Sequence, residues 1–147
     1  MTQAAALPDL FGRFTVVMRE HRDLRQTVAH LRHLCAALED GQELNEDSRS
    51  PASLLGELLS DLSEHFAMEE GEAYFGTVVD EAPALDSRIG ELKLEHTLML
   101  HGVGVLCSLA GDPKRWAELP RPTRELLSLL ERHERAESQL LAEFFGK

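Results

Sequence analysis

His21, His65, His96 and His133 each stand where the buried stripe of a predicted helix would otherwise carry an apolar residue. Two of them have a glutamate four residues later, His65 with Glu69 and His133 with Glu137. Residues i and i+4 of a helix share one face, roughly 6 Å apart along the axis. Each pair therefore aims two ligands in one direction. A single histidine on such a stripe is most often a hydrogen-bonded core residue. Four at matched depth, one per helix and joined by two seam glutamates, point instead to a metal. Buried carboxylates are costly unless they are paired or coordinate a cation. Imidazole with carboxylate suits iron, zinc, copper or nickel and needs no thiolate. Structural zinc prefers a closed tetrahedral site, commonly with cysteine. Six residues shared between two metals leave open positions, as oxygen chemistry requires. Glu69 and Glu137, on different helices, can bridge two irons and leave two histidines for each.

The elements that must position these groups follow from periodicity. A first helix is expected from about Asp9 to Glu39, with the stripe Leu10, Phe14, Val17, His21, Leu24, Val28, Leu31, Cys35. Its steps alternate between three and four, as in the seam of a bundle. A polar loop, Asp40 to Ser50, precedes the N-cap and first-turn pair Ser50-Pro51. A second helix should run from Pro51 to about Val78 through Leu55, Leu58, Leu62, His65 and Glu69, then Ala73 or Gly76. Gly71 and Gly76 weaken its second half. After a turn at Pro83, a third helix is expected over Ala84 to Ala110, with Leu85, Ile89, Leu92, His96, Met99, Val103 and Leu106 inward and Gly111 closing it. Asp112 to Pro122 reads as a connection with Trp116 as a lid on one end of the core. The last helix, about Thr123 to Phe145, presents Leu126, Leu130, His133, Glu137, Leu140 and Phe144. The fold class expected is all-α, an up-down-up-down antiparallel four-helix bundle with the metal site in its core. Each ligand histidine lies near the middle of its helix, so antiparallel neighbours bring all of them into one layer.

A chain of 147 residues, 43% hydrophobic, is one domain with a real core, read here as spanning residues 1–147. The net charge of −11 argues against nucleic acid and anionic membrane surfaces. No apolar stretch approaches the ~20 residues needed to span a bilayer. The N-terminus, Met-Thr-Gln-Ala-Ala-Ala-Leu-Pro, lacks a basic region followed by an apolar run, so no signal peptide is expected. Cys35 and Cys107 form no CxxC or zinc spacing and read as small core hydrophobes. A cytoplasmic protein with reduced thiols is the simplest reading. His30 and His33 fall off the first stripe and should be solvated. His101 lies about 140° around the helix from His96 and is expected outside the ligand set. Glu70, about 100° from Glu69, is not expected to bridge.

The ordered set Glu-His21-Arg-Asp-Leu, His65-Phe-Ala-Met-Glu69-Glu70, Glu95-His96 and His133-Glu-Arg-Ala-Glu137 resembles the hemerythrin-like (HHE cation-binding) domain over nearly the whole chain. The resemblance implies a centre of two non-haem iron ions with carboxylate bridges and an oxo or hydroxo bridge. It also implies binding of dioxygen, peroxide or nitric oxide. Oxygen carriers of that family place a second histidine four residues after the third-helix ligand, where this chain has Leu100. They end with His-x-x-x-x-Asp, whereas this chain has His133-x-x-x-Glu137. The more open site favours a reactive or sensing centre over reversible carriage. A di-iron redox protein with peroxidase- or oxidase-like chemistry and an unidentified electron donor is one expectation. A non-enzymatic protein that stores, buffers or senses iron is the alternative.

Overall fold

The computed structural model describes residues 22–42, 44 and 49–146, and the regular structure among them is all helical. Five α-helices stand among the described residues: α1 (22–39), α2 (Pro51–Glu70), α3 (Thr77–Glu81), α4 (Asp86–Ala110) and α5 (Pro120–Phe145). A π-turn, Glu72–Gly76, joins α2 to α3. Short 3-10 turns, Pro83–Leu85 and Pro113–Glu118, lead into α4 and α5. His21 and the stripe residues Leu10, Phe14 and Val17 lie outside the described residues. No helix among the described residues is long and apolar enough to cross a membrane.

Local chemistry sets the helix ends. The Ser50 side chain accepts a hydrogen bond from the Ser53 amide at 3.1 Å, and Pro51 opens the first turn of α2. The Asp112 side chain caps the Pro113 turn by accepting from the Lys114 amide at 3.1 Å. Trp116 donates its indole N–H to the Ala110 carbonyl at 2.8 Å and packs, half-buried, on the end of the core. The last helix begins at Pro120 rather than Thr123, because the first turn needs no intrahelical amide donors and accepts proline. The larger departure is in the second helix. It ends at Glu70, where Gly71 turns extended (ψ 159°), and does not run on to Val78 as one element. Backbone bonds from the Tyr74 and Gly76 amides to the Gly71 carbonyl, 3.1 and 3.3 Å, wind the chain into the π-turn.

The apolar core is two clusters. The larger gathers Leu24, Leu31 and Leu34 of α1, Leu54 to Phe66 of α2, Met99 to Ala110 of α4, and Leu126 to Leu130 of α5. The smaller gathers Tyr74, Phe75, Val78, Leu85, Ile89 and Leu92 with Leu140, Leu141 and Phe144. Along α4 the smaller cluster comes first and the larger second, whereas α5, and α2 with its π-turn, pass between them in the opposite sense. Each of the three crosses the boundary at its predicted ligands: His65 and Glu69, then His96, then His133 and Glu137. Ion pairs from Arg32 to Glu131 and from Arg88 to Glu143 tie helices at the surface. Such exposed pairs contribute at most about 1 kcal/mol each.

The larger cluster should carry much of the stability. Leu58→Ala, at a fully buried position, is expected to cost about 2–5 kcal/mol in denaturant unfolding. Leu98→Ala, at a side chain 56% exposed, should stay within about 0.5 kcal/mol of wild type.

Candidate metal centre

Between the two clusters, Glu69 of α2, His96 of α4, and His133 and Glu137 of α5 bring one ligand atom each within 4.8 Å of one another, all buried. His65, one turn before Glu69 and also buried, sets its Nε2 3.2 Å from Glu69 Oε2. The other Glu69 oxygen, Oε1, lies 3.2 Å from His96 Nε2. The two oxygens of one carboxylate thus face imidazoles from two helices. His133 Nε2 stands 3.1 Å from His96 Nε2 and 3.6 Å from Glu137 Oε2. Of the six residues expected as ligands, four meet in one cluster, His65 adjoins it through Glu69, and His21 lies outside the described residues. His30, His33 and His101 are exposed, as their helical phase predicts. Cys35 and Cys107 are free thiols, one buried and one half-buried, and burial raises both pKa values.

Two further carboxylates hold the imidazoles from behind, and sequence reasoning missed their role. His96 Nδ1 meets Glu70 Oε2 at 2.7 Å, and His133 Nδ1 meets Glu95 Oε1 at 2.7 Å. Each carboxylate accepts from an Nδ1–H, which leaves the Nε2 lone pair for the cluster. Glu70 follows Glu69 and Glu95 precedes His96, each about 100° from a seam position, so each reaches the imidazole of the next helix. A carboxylate flanking a seam ligand was the available signal. The His96 ring is also sandwiched between aromatic rings. Phe66 stacks on it at 3.8 Å with a 7° tilt, and Phe75 lies at 6.0 Å and 12°.

The electrostatics of the imidazole pair are set by one proton. Burial drives the His96 pKa down to about 4, against the pull of Glu70. Burial also opposes a charge on His133, but hydrogen bonds to Glu137 and Glu95 outweigh it, and its pKa rises above 6.5. The two directions set the pair apart: His133 takes a proton more readily than His96, whose Nε2 lies 3.1 Å away. Nitrogen and carboxylate oxygen without thiolate fit iron and other borderline transition cations, so the donor set suits such a metal.

A family model for the hemerythrin HHE cation binding domain matches residues 13–145. The chain belongs to that family. No curated protein and no solved structure gave a match. Hemerythrin-family membership implies binding of metal cations, typically iron, and the buried Glu/His cluster fits such a site.

Two expectations follow for this hemerythrin-like centre. Glu70→Gln and Glu95→Gln should each keep the fold yet weaken metal binding about 10–100-fold, read by competition with a chelator. Metal affinity should also depend on pH through His133. Its folded pKa is raised, so the proton is present below that pKa and must leave before Nε2 can ligate. Affinity should therefore fall as pH drops between about 8 and 5, with proton release on binding seen by calorimetry in buffers of different ionisation enthalpy.

Proposed function

We propose that this protein is an antiparallel, up-down-up-down four-helix bundle housing a non-haem di-iron centre that binds or reacts with dioxygen, peroxide or nitric oxide. His21 and His65 ligate one iron, His96 and His133 the other, and Glu69 and Glu137 bridge. The observation that carries this reading is Glu69. Its Oε2 faces His65 and its Oε1 faces His96, the geometry of a carboxylate shared by two cations. The 3.1 Å between the Nε2 atoms of His96 and His133 supports their sharing one ion. When bound, the irons supply one-electron redox chemistry and open positions for small ligands.

The chain's own residues do the rest. Apolar clusters above and below the ligand layer exclude bulk water while admitting small neutral molecules. Glu70 and Glu95 fix the tautomers of His96 and His133. Leu100, half-buried against the larger cluster, supplies packing where an oxygen carrier supplies an imidazole. That leaves one iron with fewer protein ligands and favours reaction over reversible carriage. Turnover then requires an external electron donor.

Elemental analysis with aerobic and reduced absorption spectra tests the reading. About two irons per chain are expected. One tightly held zinc would overturn it. Reduced protein exposed to oxygen should be oxidised and should not return to the diferrous spectrum when oxygen is removed. Full recovery over many cycles would identify a carrier, and loading and release of iron without peroxide turnover would identify a store. Leu100→His should lengthen the life of the oxygenated species and slow peroxide turnover.

A further inference from the structure

Tyr74 is the single tyrosine of the chain and was outside every ligand expectation drawn from periodicity. On an unbroken helix it would lie five residues past Glu69, roughly 140° away from the ligand face. The break at Gly71 and the π-turn change that phase. Tyr74 is only 1% exposed, packed among Phe75, Val78 and the end of α5 in the smaller cluster. π-turns inside helices recur at functional sites because they re-aim one side chain.

The hydroxyl of Tyr74 finds no hydrogen-bond partner among the described residues. Burying a hydroxyl in this way costs stability, and phenylalanine would fill the same space without that cost. The charges that act on it are those of Glu137 and Glu69, the two carboxylates of the ligand layer. It is bonded to neither. A buried hydroxyl with a donor to spare, on the residue next to the Phe75 that stacks on His96, can serve a group bound at the cluster.

We propose that the Tyr74 hydroxyl donates a hydrogen bond to a small anionic ligand held at the metal centre. Burial, with Glu137 and then Glu69, pushes its ionisation well above the ordinary phenol range, which keeps the O–H in its donor form. The phenol supplies direction as well as attraction. An anion bound with its acceptor lone pair toward Tyr74 is favoured over one turned away, and over a neutral diatomic molecule. The proposal rests on the iron-centre reading given above, and its test separates the two.

The probe is azide, titrated into the ferric, iron-loaded protein. Tyr74→Phe should hold as much iron as wild type and bind azide about tenfold more weakly, the loss of one hydrogen bond to a charged group. The bound-azide stretch of wild type should shift between water and deuterium oxide, and that shift should vanish in Tyr74→Phe. In the metal-free protein, Tyr74→Phe should melt at or above the wild-type temperature, since it removes a buried hydroxyl without a partner. A lower melting temperature would mark Tyr74 as structural and overturn the donor role. Equal azide affinity in the two iron-loaded proteins, or no isotope shift in wild type, would overturn it while leaving the iron centre standing. Tyrosinate vibrations enhanced by excitation in an iron charge-transfer band can come only from Tyr74, and would replace the donor with a direct ligand. A wild type that takes up no iron would remove the centre and the proposal together.

Discussion

Everything in this structure is arranged around a polar layer that cuts the core in two. Glu69 and Glu137 are buried at 0% and 1% exposure beside three buried imidazoles, with leucine-rich packing on one side and an aromatic and aliphatic cluster on the other. Carboxylates at that depth are a large cost in a folded protein unless a cation or strong hydrogen bonds compensate them. The same positions filled by leucine would join the two clusters into one continuous core. The layer therefore gives up apolar packing in exchange for a site. Metal that binds only the native state adds its binding free energy to folding.

Holding that layer in register takes more than the ligands themselves. Two of the helices that cross it also brace a neighbour's ligand: Glu70 of α2 behind His96 of α4, and Glu95 of α4 behind His133 of α5. The braces sit at the edge of the layer, with side chains 39% and 36% exposed, while the imidazoles they orient are 1% exposed. A carboxylate at the edge keeps contact with water and so costs less to charge than one inside. Phe66 and Phe75 both lie nearly parallel to the His96 ring, so packing favours the same ring plane that Glu70 holds from Nδ1. Packing and electrostatics thus determine the same orientation independently.

Much of this was legible in the sequence, and the limits of that legibility have physical causes. Every seam position expected in the third helix, Leu85 through His96 to Leu106, is buried, and so is every one expected in the last, Leu126 through Glu137 to Phe144. Long regular helices keep their phase at 100° per residue, so seam positions extrapolate well. The second helix kept phase as far as Glu69 and then lost it at Gly71. A π-turn changes the rotation per residue without leaving a hydrophobic period to read. That is why Ala73 or Gly76 was expected to continue the stripe, whereas Tyr74 and Phe75 are buried there. Glu70 and Glu95 were missed for a different reason: their partners belong to other helices, periodicity describes only one helix at a time, and the only signal was a carboxylate flanking a seam ligand.

The π-turn has a consequence for the two ends of the molecule. The larger cluster is packed by side chains from α1, α2, α4 and α5 and meets the layer through Phe66, which stacks on His96. The smaller cluster depends on the rewound segment, because Tyr74, Phe75 and Val78 supply its share of α2 and α3. That segment begins at the residue pair directly after Glu69, so the ligand and the start of the turn are mechanically one unit. Phe75 carries the linkage further by lying over His96. The site is thus tied to both clusters, to the larger through Phe66 and to the smaller through Phe75.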